Sequence, residues 1–359
     1  MRKKLCIIIS LLMLGGMCSC GVAEEDISSK EPEVVYEQLK VDISQKKNEE
    51  ISLCYCTPTE MVFSVGVRNG AMDGPLVNTE RLVLYDYQKN NIAMQFQMNT
   101  DAYIYNAMPY KDGILYSTYG ETGGMSTSWK VMFINSKGTK TIDKGYARQY
   151  DGMPCFGEIN GKPIYVYEDI DGESYQCGVN IINDFVAVAI FTDENYSLCG
   201  SGILPTNGTE YMLMMSKEKD DYATVVVGNE KGIIGRYPLK EKLAAYNINE
   251  SYAICSTVKS QDEFSLLTID LKEAKESNTD AGRPLFRITG GKGKSFVSVD
   301  SSFNMFAINA GKKTSKTTIE MPIEIYKGSQ AVAYYPIEES KYVVSFDNKS
   351  YYRMTVIYK

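Results

Sequence analysis

The chain contains no histidine among its 359 residues. Ser-His-Asp and Cys-His catalysis, histidine-ligated metal and a histidine pH switch are therefore excluded. There is no excess of positive charge either: 38 Lys and Arg stand against 45 Asp and Glu, a formal balance of −7. Nucleic-acid binding needs clustered Lys and Arg to neutralise phosphate, so no nucleic-acid partner is expected. Beyond the first twenty residues no apolar run is long enough to cross a bilayer as a helix. Tryptophan is nearly absent, with one residue against 27 tyrosines. What remains, 44% hydrophobic and 23% charged, is the composition of a folded protein with a large core.

The first twenty residues read as an address. Arg2, Lys3 and Lys4 precede an apolar run from Leu5 to Met17, which ends in small residues ahead of Glu24, Glu25 and Asp26. This is signal-peptide anatomy, and the run is shorter than the roughly 20 residues of a spanning helix. At Leu14-Gly15-Gly16-Met17-Cys18-Ser19-Cys20-Gly21 the chain resembles a bacterial lipoprotein, whose lipobox sets a small residue before an invariant cysteine. The resemblance covers only this segment. It implies lipidation of Cys20, a membrane partner through that N-terminal lipid, and a lipid-anchored position on the extracytoplasmic face of the cell membrane. The alternative is a secreted chain cut nearby. Removing residues 1–19 takes away three positive charges and no negative ones, so the body is more acidic than the whole and is repelled by anionic lipid. Residues 20–32 are polar and acidic and read as a flexible tether.

Six cysteines lie beyond this segment: Cys54, Cys56, Cys155, Cys177, Cys199 and Cys255. Most sit in apolar strand-like runs, which favours buried thiols, with one bridge allowed. In Ser52-Leu53-Cys54-Tyr55-Cys56 the period of two puts Cys54 and Cys56 on one face. A metal there has no second close pair and no histidine to complete its shell, so no metal and no cofactor is expected.

From residue 33 the chain repeats short runs rich in Val, Ile, Tyr, Phe and Thr, separated by turn residues. Ile51–Cys56, Met61–Val67, Arg81–Tyr87 and Ile92–Met98 form one unit of four. Ile104–Pro109, Gly113–Tyr119, Trp129–Asn135 and Thr139–Lys144 form the next. Helical patterns are confined to Pro238–Tyr246 and Leu271–Ser277, the latter with Asp270 as its cap. So many short antiparallel strands must hide their edges, and a ring of four-stranded blades does so. At roughly 45 residues a blade, residues 33–359 make an all-β propeller of about seven four-stranded blades. Residues 330–359 provide three strands, and Val34–Val41 offers the fourth that would close the ring. Tandem β-sandwiches are the alternative, but no polar linker divides the chain mid-way. Leu82–Tyr87 and Val131–Asn135 resemble the phrasing of bacterial propeller lipoproteins in general.

Candidate chemistry is sparse. Ser256-Thr257-Val258-Lys259, Ser302-Phe303-Asn304 and Lys313-Thr314-Ser315 resemble the motifs of penicillin-recognising serine enzymes, but Ser256 falls in a strand and the spacing is wrong. Gly290–Ser295 has the look of a phosphate loop, yet a strand follows where a helix is required, and a basic hairpin turn explains it. Glu168–Glu173 alternates carboxylates in the manner of a calcium loop, but Tyr167 holds the first ligand position and the closing Glu is missing. No catalytic residue is assigned. Tyr103, Tyr105, Tyr110, Tyr116, Tyr119 and Trp129 fall in one unit beside the Gly- and Ser-rich stretch Gly120–Ser128. Aromatic faces with adaptable polar loops suit recognition, and tyrosine also packs well on sheets. Tyr110, Tyr119 and Trp129 are the candidate ligand-binding residues. The sequence thus points to a tethered binding or scaffold module for a protein, peptide or glycan; the alternative is a propeller hydrolase acting on carbohydrate through Asp and Glu.

Overall fold

The computed structural model describes residues 33–357 except 69–76, 121–126, 149–151, 172–173, 195, 200–203, 218–221, 261–262, 284, 291–294, 301–303, 312–313, 320–330, 339–340 and 347–348. Strand β1 (Glu33–Leu39) comes first and belongs to the last blade. Blade 1 is β2 (Glu49–Cys56), β3 (Glu60–Arg68), β4 (Val77–Asp86) and the first half of β5 (Asn91–Tyr110). Blade 2 is the second half of β5 with β6 (Gly113–Gly120), β7 (Thr127–Asn135) and β8 (Gly138–Ala147). Blade 3 comprises β9 (Cys155–Ile159), β10 (Lys162–Asp171), β11 (Ser174–Asn183) and β12 (Val186–Glu194). Blade 4 comprises β13 (Ser197–Leu198), β14 (Glu210–Ser216), β15 (Thr224–Asn229) and β16 (Gly232–Pro238). Blade 5 comprises β17 (Lys242–Ile248), β18 (Tyr252–Val258), β19 (Phe264–Asp270) and β20 (Lys275–Asp280). Blade 6 is β21 (Leu285–Gly290), β22 (Ser295–Asp300), β23 (Met305–Asn309) and β24 (Ser315–Ile319). Blade 7 is β25 (Ala331–Glu338), β26 (Lys341–Phe346), β27 (Tyr351–Ile357) and β1.

The middle strands are near-continuous apolar runs because each blade is covered on both faces. In β14, Tyr211, Leu213 and Met215 pack into a cluster with blade 3, while Met212 and Met214 pack into one with blade 5. The described core divides into seven such clusters, one for each seam between neighbouring blades, and the seventh joins blade 7 to blade 1. The ring is therefore closed, and the molecule is a β-propeller. Its clasp is the antiparallel pairing of β1 with β27, from Glu33 opposite Ile357 to Leu39 opposite Tyr351. Val34 and Tyr36 pack into the blade 6–blade 7 seam, and Glu37 meets Arg353 at 3.0 Å.

The two units of four strands read from the sequence are blades 1 and 2. Their junction differs from expectation, since β5 runs unbroken through both and serves as the outer strand of one blade and the inner strand of the next. The two helical segments are also corrected. Residues 242–246 form the start of β17, and residues 271–274 make a turn between β19 and β20. Asp270 does cap, accepting from the N–H groups of Lys272 and Glu273, but it closes a hairpin. Asp86, Asn135 and Asn229 accept in the same way at the corresponding hairpins, and Asn183 and Asn309 end the third strands of blades 3 and 6. A short side-chain acceptor that mimics a backbone turn is what a tight strand reversal needs.

Cys54 and Cys56 do not share a face. The register shifts between Leu53 and Tyr55, leaving Cys54 as the extra residue of a bulge. Cys56 then joins Ile51 and Leu53 in the blade 7–blade 1 seam, while Cys54 turns to the blade 1–blade 2 seam. None of the six described cysteines is in a disulfide. Ser256 lies fully buried in β18, where its hydroxyl accepts from Leu285 N–H at 3.2 Å, a link between blades 5 and 6. Gly290 ends β21 and Ser295 begins β22, and Glu168–Asp171 belong to β10; residues 291–294 and 172–173 lie outside the described residues. Cys20, residues 1–32, Ser302, Phe303, Lys313 and loop residues 121–126 lie outside the described residues.

Candidate binding cleft between blades 2 and 3

The aromatic residues singled out in the sequence gather on blade 2 at its seam with blade 3. The β5–β6–β7 register sets Tyr119 opposite both Tyr103 and Trp129. Tyr103 and Tyr119 stack at 5.6 Å, and Tyr105 meets Tyr119 edge-on at 6.3 Å. Trp129 is only 2% exposed. Its indole N–H donates to the Glu168 carbonyl at 2.8 Å, and its ring lies 5.6 Å from Tyr167. Tyr110 stands at the other end of the hairpin, roughly 23 Å along the strand from Tyr103 at 3.3 Å per residue. There it meets Phe133 at 6.1 Å and Phe185 at 5.5 Å. The structure thus brings Tyr119 and Trp129 together and sets Tyr110 apart.

Phe185 and Asp184 form the two-residue turn between β11 and β12, with φ of 65° and 47°. Both are in the left-handed region, which costs about 1–2 kcal/mol for an ordinary side chain. The cost is offset by packing across the seam: Phe133 lies 4.7 Å from Phe185, and the ammonium groups of Lys111 and Lys140 lie 4.5 and 5.1 Å from its ring centre.

Two clefts open along this seam. One, of about 430 Å³, lies at the Tyr110 end and is lined by Lys111, Glu158, Lys162 and Asp184. Its cations are already paired, Lys111 with Asp184 at 2.7 Å and Lys162 with Glu230 at 3.4 Å. The other, of about 460 Å³, lies between β8 and the outer strands of blade 3 and is lined by Trp129, Asp143, Asp169, Asn180, Ala187 and Ala189. Its β12 wall is made by Val186 and by the small side chains of Ala187 and Ala189. Asp143 accepts from the Tyr165 hydroxyl and from Asn180 Nδ2 at 3.2 Å, and Asn180 Nδ2 also reaches Tyr165 at 2.7 Å. Burial pushes the Tyr165 hydroxyl far above its ordinary range, so it is a donor. Asp169 accepts from Tyr146 N–H at 2.9 Å. Among the described residues neither Asp143 nor Asp169 has a cationic partner, and the Asn180 side-chain carbonyl has no partner at all. The second cleft is therefore the candidate site. It offers acceptors to a ligand that donates hydrogen bonds or carries positive charge.

Glu168 braces the seam. It is buried, and its carboxylate accepts from Arg148 N–H at 3.1 Å and Leu198 N–H at 3.3 Å, tying the connection before blade 3 to β13 of blade 4. Burial raises its pKa above the ordinary 4.5, and those two N–H groups pull the other way. No group of three or more Cys, Asp and Glu side chains is placed to hold a metal among the described residues. Sequence reasoning found the aromatic side of this site and missed Asp143, Asn180 and the alanine wall. The one available signal was Val186-Ala187-Val188-Ala189, an outer strand with alternate methyl side chains.

No protein-family model and no curated protein matches the chain. Solved structures do resemble it. A chain in the crystal structure of the mitotic checkpoint complex aligns with a TM-score of 0.51 and 8% identity over 93% of this chain and 95% of that one. Raptor from Chaetomium thermophilum aligns at 0.50 and 8% identity, covering 87% of this chain and 28% of its own. BamB from Moraxella catarrhalis aligns at 0.46 and 10% identity, over 91% and 99%. At such identities the likeness is one of fold.

Proposed function

We propose that the chain is a binding or scaffold module, held on the extracytoplasmic face of the cell membrane by a lipid on Cys20, whose blade 2–blade 3 cleft takes part of a protein, peptide or glycan. The observation that carries the binding role is the open cleft lined by Asp143 and Asp169, neither of which has a cationic partner among the described residues. The anchor is supported by the segment Leu14–Gly21. A carbohydrate hydrolase needs one carboxyl to donate a proton and another to attack or activate water. In the cleft, Asp143 accepts from Tyr165 and Asn180, and Asp169 accepts from Tyr146, so both are held as fixed acceptors. That arrangement favours binding over turnover.

Two measurements test the reading. Intact mass of the membrane fraction should show a diacylglyceryl adduct on Cys20, and Cys20→Ser should release the chain; a Cys20→Ser chain that stays with the membrane removes the anchor. Incubation with glycan and peptide panels should give retention without cleavage, and released sugar would overturn the binding role.

A further inference from the structure

The outer strand of each blade has one free edge, and such edges are ordinarily guarded by charge. β8 carries Lys140, Asp143 and Lys144; β20 carries Lys275, Glu276 and Asp280; β1 carries Glu33 and Glu37; β16 carries Arg236; β24 carries Lys316. The outer half of β5 has Gln95 and Gln97. β12 holds its charges, Asp193 and Glu194, at its far end, and it alone begins with six apolar residues, Val186 to Phe191, with Val186 58% and Val188 45% exposed. It pairs with β11 on one side and, among the described residues, with no strand on the other. In a two-residue hairpin the closing pair, here Asn183 and Val186, is hydrogen-bonded and the bonds then alternate. The N–H and C=O groups of Ala187 and Ala189 therefore point away from β11, towards the free edge. The same two alanines wall the cleft.

We propose that blade 3 accepts a fifth strand: an extended segment of a partner protein pairs with β12 along Val186–Ile190 and places an arginine or lysine side chain in the cleft against Asp143 and Asp169. The inference rests on the binding role above and names its ligand. Backbone pairing supplies affinity and the cleft supplies selectivity, as in other cases of strand addition. The basic side chain follows from charge: two carboxylates without a cationic partner among the described residues line the cleft, against the single cation of Lys144. Asn180, only 7% exposed, holds Asp143 in place from the same wall, donating to it at 3.2 Å. A glycan would use the acceptors and leave the β12 edge idle.

The test uses the full body of the chain and two labelled peptides, Thr-Val-Thr-Val-Arg-Val-Thr-Val-Thr and the same sequence with glutamate at the centre. Fluorescence anisotropy should show the arginine peptide binding at least about tenfold more tightly. Asp169→Asn should cut that preference to about threefold or less. Ala189→Pro removes an N–H that faces the free edge and leaves the β11 pairing intact, so it should weaken binding about tenfold or more with the melting temperature held. If Ala189→Pro does not fold, Val188→Lys places a guarding charge on the same edge and should have the same effect. Binding should also slow amide exchange across residues 186–192. Equal binding of the two peptides, or binding that Ala189→Pro and Val188→Lys leave unchanged, overturns the proposal. Absence of peptide binding together with retention of a glycan in the panel overturns it while sparing the binding role; absence of both removes both.

Discussion

Removing the carboxylate of Glu168 should loosen the seam that holds the cleft, and the size of the effect follows from what it touches. In Glu168→Ala, the buried Leu198 N–H loses its acceptor, at a cost of about 1–3 kcal/mol. Arg148 is exposed, so its N–H can turn to water and adds no more than about 1 kcal/mol. Release of a desolvated carboxylate opposes these losses, which leaves a net destabilisation of about 1–3 kcal/mol. Trp129 is the sole tryptophan and its indole is bonded to the Glu168 carbonyl, so its fluorescence during urea unfolding reads this seam directly. With an m-value of about 3 kcal/mol per molar, the midpoint should fall by about 0.3–1 M. The pH dependence gives a second sign. A carboxyl whose folded pKa lies above 4.5 contributes stability that is present below that value and is lost as pH rises through the folded pKa. The advantage of the natural chain over Glu168→Gln should therefore widen from pH 7 to pH 5. A loss under about 1 kcal/mol in Glu168→Ala, or a gap to Glu168→Gln that narrows on acidification, would refute the reasoning.

Phe185→Ala keeps the left-handed turn and loses the ring, whereas Phe185→Gly loses the ring and relieves the turn. Glycine should therefore be the more stable of the two by about 1 kcal/mol in thermal unfolding, the reverse of the usual order within strands. In blade 1, Arg81 meets the buried Glu49 at 2.9 Å, and Arg81→Met should cost about 1–3 kcal/mol, because the carboxylate keeps only the exposed Lys46, whose ammonium lies at 3.5 Å and whose N–H donates at 2.8 Å. Adding Glu49→Gln to Arg81→Met should recover a large part of the loss, as a double-mutant cycle in urea would show.

Much of the ring was legible in the sequence because a blade packed on both faces writes itself as short apolar runs between turns. Blades 1 and 2 and the strand at Val34 were readable for that reason. Errors came where a local rule was overridden. Residues 271–274 have a good cap at Asp270, but a cap serves a hairpin as well as a helix. The period of two failed at Cys54, where a bulge reverses the faces. The aromatic candidates were half visible: Tyr119 and Trp129 do meet, while Tyr110 is placed by contacts with Phe133 and Phe185 from across two strands and a seam. The cleft was not legible, because Asp143, Asp169 and Asn180 converge only when β8 of one blade faces β10 and β11 of the next.

Ring closure carries everything else, since the cleft exists only if the blades stack in a closed circle. Val35 and Thr355 lie directly opposite on β1 and β27. Such a pair sits within reach of a disulfide. Mild oxidation of the Val35→Cys, Thr355→Cys chain, followed by non-reducing peptide mapping, should yield a single peptide joining the two ends. A folded chain in which those two cysteines stay unlinked would contradict the account.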